Sequence, residues 1–159
     1  MSIIKVNISD IETVKFITTE TINSIYPRYY PEGAVNFFLS HHNDKNIEND
    51  IKSEFVYLCF DDENNGVGTV TIKENEIGRL FVLPEYQGKG YGRELISFAE
   101  NEISKQYDKI ILHASLPAKA IYLKRGYKEV EFHSLKTENG DYLCYDMMIK
   151  QIQNKAIWL

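Results

Sequence analysis

The chain has no surplus of positive charge: 18 Lys and Arg stand against 23 Asp and Glu in 159 residues, a formal net charge of −5. Nucleic acid and anionic membranes recruit proteins that gather Lys and Arg on one face, so this balance speaks against both partners. Cysteine is scarce as well. Cys59 and Cys144 are the only two, each inside an apolar segment and neither in a C-x-x-C or Cys/His cluster, so neither a disulfide scaffold nor a zinc site is indicated. Both are expected to pack as small hydrophobes. Long apolar runs are missing too: no window approaches 18 uninterrupted apolar residues, and the opening "MSIIKVNISD" lacks the basic and apolar parts of a targeting signal, so a cytoplasmic chain is expected. There is no internal repeat and no low-complexity linker. What remains is ordinary globular composition, 43% hydrophobic and 26% charged, which fits one domain over residues 1–159.

Periodicity orders the elements. A strand is expected over residues 2–7, and Ser9 followed by Glu12 is a capping-box pattern that should open a helix carrying Ile11, Val14, Ile17, Thr21, Ile22 and Ile25 on one stripe. A second helix, with Pro31 near its start, places Val35, Phe38, Leu39 and His42 together before "NDKNIENDIK" reads as a polar loop. Residues 54–60, "EFVYLCF", are apolar on both alternating faces, as in a strand covered on both sides. "VGTVTIK" and "IGRLFVL" continue this as a three-strand meander. A helix bearing Leu95, Phe98, Ala99 and Ile103 follows, then the strand "KIILHA" at 109–114, then a helix with Pro117 in its first turn and Gly126 just past its end. Two closing strands flank Glu138-Asn139-Gly140-Asp141, a hairpin signal. The tail "QIQNKAIWL" has two docking places open to it, the body of the domain or a second copy in a homodimer.

The stretch "LPEYQGKGYGRE" carries Gly88, Gly90 and Gly92 between the last meander strand and a helix. Glycine costs about 1 kcal/mol relative to alanine inside regular structure, so three in five residues need a reason. A loop that opens a helix aims backbone N–H groups outward at the positive end of the helix dipole, which suits an anion. A dinucleotide fingerprint fails because Arg93 stands at its third glycine, and a P-loop fails because Leu83 stands at its first and Gly90 replaces the hydroxyl residue.

"LFVLPEYQGKGYGR" instead resembles the acyl-coenzyme A loop of the GCN5-related N-acetyltransferase (GNAT) family, whose pattern is [QR]-x-x-G-x-[GA] after an L-x-V-x-P strand end. Gln87, Gly90 and Gly92 meet the loop, and Leu80, Val82 and Pro84 meet the strand. Downstream, "SLPAKAIYLKRGYKEV" is similar to the family's N-x-x-A-x-x-x-Y-x-x-x-G-[FY] helix through Ala118, Tyr122, Gly126 and Tyr127, with Ser115 where Asn is commonest. The resemblance implies a mixed α/β (α+β) fold, with a mostly antiparallel sheet splayed at the cofactor cleft and helices on both faces. It also implies transfer of an acetyl group from acetyl-coenzyme A to a primary amine of a small molecule or peptide in a ternary complex.

By that resemblance the backbone of Gly88, Lys89, Gly90, Tyr91, Gly92 and Arg93 would hold the pyrophosphate, with Gln87 in the loop and Ser115 beside the cofactor arm. The strand edge Leu80, Phe81 and Val82 would pair with pantetheine, as an added strand pairs with a sheet. Tyr122 is the catalytic candidate that meets the departing thiolate. Glu76, at the same strand parity as Leu80 and Val82, is a candidate base. "IYPRYYPEG" suggests an acceptor wall of Tyr26, Arg28, Tyr29 and Tyr30, whose rings could face a cation. Peptide N-termini, lysine side chains, polyamines and aminoglycosides all fit as acceptors, and the acidic balance leans to the polycations. An acyl-coenzyme A sensor without turnover is the alternative from another functional class.

Overall fold

In this computed structural model, which describes residues 1–152, the chain enters along strand β1 (Ser2–Lys5) and turns at Asn7 into a short 3-10 turn before helix α1 (Ile11–Ile25). The capping box forms earlier than the Ser9 and Glu12 pattern suggests. Asn7 Oδ1 accepts from the Ser9 N–H at 3.1 Å, and the Asp10 carboxylate accepts from the Asn7 N–H at 3.0 Å. Asn7 is extended and has an acid three residues on, so it makes the same reciprocal pair, with Ser9 inside the box rather than capping it.

Helix α2 (Glu32–His41) follows the 3-10 turn Tyr26–Arg28. "NDKNIENDIK" is not a loop. It forms a third helix, α3 (Asp44–Lys52), started by Asn43, whose side chain accepts the Asn46 N–H at 2.9 Å. Ile47 and Ile51 lie one turn apart and are both buried. At roughly 2 kcal/mol each, that burial outweighs the weak helix propensity of the Asn and Asp around them.

The remaining elements follow the sequence reading. They are β2 (Val56–Phe60), β3 (Gly66–Lys73), β4 (Glu76–Val82), α4 (Tyr91–Ser104), β5 (Lys109–Ala114), α5 (Leu116–Lys124), β6 (Lys128–Lys136) and β7 (Tyr142–Gln151). The expected tail from residue 153 onward lies outside the described residues. The strands form one sheet in the order β1-β2-β3-β4-β5-β7-β6, with every neighbouring pair antiparallel except β4–β5. Alternation along β2 divides the core. Val56 and Leu58 join α1, α2 and α3 residues on one face, while Cys59 joins Leu95, Ala99 and Ile103 of α4 and Tyr122 of α5 on the other. None of the described helices is long and apolar enough to cross a membrane.

Two local features of β4 position the site. Val70 is opposite Leu80 and Ile72 is opposite Ile77, so β4 holds one extra residue between them. The bulge also cancels the parity argument for Glu76. Ile77 shares a face with Leu80, whereas Glu76, opposite Lys73, shares a face with Phe81, opposite Thr69. The second feature is a split. β4 and β5 pair only at Glu76–Ile111 and Ile77–Leu112, closed off by the bond from Asn75 Nδ2 to the Lys109 carbonyl at 3.1 Å. From Gly78 onward β4 keeps β3 and loses β5.

Candidate active site

The open side of β4 carries free main-chain groups. Leu83 N–H donates to the Val67 carbonyl on β3 at 2.9 Å, and successive N–H groups of an extended strand point to opposite sides, so that of Val82 turns toward the gap. The Val82 carbonyl, on the same side, accepts from Gln87 Nε2 at 2.9 Å and from Thr21 Oγ1 at 3.3 Å. Gln87 thereby ties the glycine loop to the strand end.

The loop itself is preset. Gly88 and Gly90 have φ of +74° and +97°, conformations that side chains strain to adopt, and a Cβ on Gly88 would meet nothing within 4 Å. Gly90 caps α4, and the first main-chain bond of that helix is Glu94 N–H to the Gly90 carbonyl. Among the described residues, the N–H groups from Gly88 to Arg93 have no well-formed protein acceptor. They end in a cleft of about 540 Å³ lined by Leu80, Phe81, Val82, Gln87, Gly88, Gly90, Gly92, Arg93 and Ser115. Lys124 at the end of α5 and Arg125 just past it line it too, and no carboxylate does. A chain of net charge −5 therefore presents Arg93, Lys124 and a row of free amides to one cleft, a donor set that suits a diphosphate, while the Arg125 guanidinium is already held by the Glu100 carboxylate at 2.7 Å. Lys89 and Tyr91 lie outside its lining: the Lys89 ammonium sits 5.0 Å over the Tyr86 ring, and Tyr91 packs edge-on against the same ring at 5.9 Å.

A second cleft, of about 430 Å³, opens on the other side of the split. Tyr26, Leu80, Phe81, Ser115, Ala118 and Tyr122 line both, so the clefts meet at the β4 edge and the α5 face. Tyr122 is 7% exposed, and burial pushes its phenol well above its ordinary value. Its hydroxyl makes no hydrogen bond to protein among the described residues, leaving it free at the junction. Burial also raises the Tyr26 phenol, opposed by a hydrogen bond with the Ser115 side chain.

Glu76 lines the second cleft, brought there by the bulge, and its Oε1 lies 3.4 Å from His113 Nδ1. His42 lines it edge-on to Phe81, at 5.6 Å between centroids, and its Nδ1 is buried without a partner among the described residues. Burial first, then the nearby Arg79 and His41, pull the His42 imidazole down to about 3. Arg79, 7% exposed, is held by Thr71 Oγ1 at 3.1 Å and by the Asp50 carboxylate at 2.9 Å.

Of the four residues expected to wall the acceptor pocket, Tyr26 alone reaches these clefts; Arg28, Tyr29 and Tyr30 line neither. Tyr29 is half exposed. Tyr30 is an internal brace: its hydroxyl accepts the Leu116 N–H at 2.7 Å and donates to the Cys144 carbonyl at 3.1 Å, pinning the start of α5 to β7. The second cleft is lined instead by Phe37, Phe38, His41 and His42 on α2 and its end, with Tyr145 and Leu143 from β7. The stripe Phe38-His42, one turn apart, was the available signal. Cys59 is buried, which raises its thiol to about 11 and suits an inert core residue. Among the described residues no group of three or more His, Cys, Asp or Glu is arranged to hold a metal ion.

A family model described as "Acetyltransferase (GNAT) domain" matches residues 25–149. No curated protein matches the sequence. Among solved structures, the chain is similar to a GCN5-related N-acetyltransferase from Rhodopseudomonas palustris at 19% identity and a TM-score of 0.85, covering 95% of each chain. It is similar to the PaiA N-acetyltransferase of Thermoplasma acidophilum, solved in complex with coenzyme A, at 22% identity and a TM-score of 0.69 over 94% of this chain and 98% of that one. The ribosomal-protein-S18-alanine N-acetyltransferase of Escherichia coli matches at 17% identity and a TM-score of 0.65, over 99% of this chain and 97% of that one. At these identities the likeness is one of fold.

Proposed function

Because the chain belongs to the GNAT family of acetyltransferases, we propose that it transfers an acetyl group from acetyl-coenzyme A to a primary amine of a small molecule or peptide, by direct attack with both reactants bound in one domain. The observation that carries this reading is the meeting of two clefts at Leu80, Phe81 and Tyr122, one lined by cations and free amides and the other by rings and a carboxylate. Reactants entering from opposite sides meet there without passing through a covalent enzyme intermediate.

The amides of Gly88 to Arg93, with Arg93 and Lys124 beside them, receive the pyrophosphate. The bound cosubstrate supplies an activated thioester. The outward main-chain edge of β4 orients it as an added strand would. The Val82 N–H is placed to polarise the thioester carbonyl, a preorganised donor of a kind worth roughly 3 to 4 kcal/mol in a transition state. Tyr122 donates a hydrogen bond to the sulfur that departs. Its raised phenol is a weaker acid than a thiol, so the role is a held hydrogen bond rather than full proton transfer.

An alkyl amine near pKa 10.4 costs about 4.6 kcal/mol to deprotonate at pH 7, which calls for a base in the second cleft. Glu76, with His113 at 3.4 Å to carry the proton onward, fills that place. The test is release of free coenzyme A from acetyl-coenzyme A against a panel of amines at pH 8. Thiol release matched by acetylated amine is expected; tight binding with no turnover on any amine would overturn the reading in favour of a sensor.

A further inference from the structure

The second cleft also selects among amines. Resting on its reading as the acceptor site, we propose that the acceptor is a monoamine carried on an aromatic or otherwise apolar body, and that polyamines and aminoglycosides are excluded. The net charge of −5 leans the other way, but those carboxylates are not in the cleft: Glu76 is the one acid that lines it, and it is shared with His113. An arriving ammonium is matched by that one carboxylate. A second ammonium on the same molecule would find no other acid among the lining residues, and it would meet the fixed guanidinium of Arg79, already answered by Asp50.

The walls favour a ring. Tyr26 and Phe38 pack edge to face at 4.7 Å, His42 meets Phe81 edge-on at 5.6 Å, and Phe37 stacks parallel on His41 at 6.1 Å, leaving Phe37 39% exposed at the cleft. Offset or edge contacts with such faces suit an aromatic body, and the same faces attract its ammonium. A cavity of about 430 Å³ falls in the range of small-molecule sites.

The experiment compares kcat/KM for 2-phenylethylamine, spermidine and kanamycin with the full chain at saturating acetyl-coenzyme A. The expected result is at least a tenfold preference for 2-phenylethylamine. Phe37→Ala should raise its KM several-fold with the KM for acetyl-coenzyme A unchanged. Leu135→Glu, which puts a second acid on an exposed lining position of the edge strand, should narrow the preference by raising turnover of spermidine. Equal or better use of spermidine or kanamycin by the unaltered chain would overturn the inference while leaving acetyl transfer intact. Binding of acetyl-coenzyme A with no amine acetylated would overturn the proposed function and this inference with it.

Discussion

Acidification should destabilise this protein through one histidine. His42 is ionised in the unfolded chain below about pH 6.5, but in the folded protein burial, with Arg79 and His41 adding repulsion, lowers its imidazole to about 3. Between those values the unfolded state binds a proton that the native state refuses, so stability is full above the unfolded value and is lost as the pH falls. The loss at pH 5 relative to pH 7 comes to roughly 2 kcal/mol, from about 1.4 kcal/mol per unit over the one and a half units that separate pH 5 from the unfolded value. The assay is urea denaturation at the two pH values for the unaltered chain and for His42→Phe, a ring that can keep the edge contact with Phe81. The unaltered chain should lose about 2 kcal/mol more than the variant. Equal losses in both would refute the assignment of His42 as a buried neutral group.

Other outcomes follow from single contacts. Tyr122→Phe should lower kcat by roughly ten- to a hundredfold, the about 1.5 to 3 kcal/mol that a hydrogen bond to a charged group is worth, with KM for acetyl-coenzyme A nearly unchanged in steady-state assays. Gly90→Ala finds room for its Cβ, with only Arg93 Nη2 at 3.6 Å, but not for its φ of +97°; it should cost about 1 to 2 kcal/mol in denaturation and weaken coenzyme A binding by calorimetry. Asp50→Ala leaves the buried Arg79 charge without its partner and should destabilise by about 1 to 3 kcal/mol, an effect that the double variant Arg79→Met/Asp50→Ala partly recovers. Glu76→Gln should lower kcat/KM for the amine at pH 7 by roughly a hundredfold, within what a positioned base contributes, with KM for acetyl-coenzyme A nearly unchanged.

The parts legible in sequence were those set by local periodicity and by backbone conformation. Glycines with no tolerance for a Cβ-bearing φ mark the loop at Gly88 and Gly90, and the alternation of "EFVYLCF" gives a strand covered on both faces. What escaped was set by tertiary context. Ile47 and Ile51 make a helix out of an Asn- and Asp-rich segment only because α1 and the sheet are there to bury them. The extra residue in β4 has no sequence mark, yet it turns Glu76 from the face of Leu80 to that of Phe81. In "IYPRYYPEG" the composition is that of a pocket wall, but Tyr30 spends its hydroxyl bracing α5 to β7, and of that segment's candidates Tyr26 alone reaches the clefts.

The most direct measurement is an amide-resolved NMR titration of the chain with acetyl-coenzyme A. The largest shifts should fall on the amides of Gly88 to Arg93 and on Leu80 to Val82 at the open edge of β4. Saturable binding whose shifts map to another surface, with those amides unmoved, would contradict the proposed cofactor site.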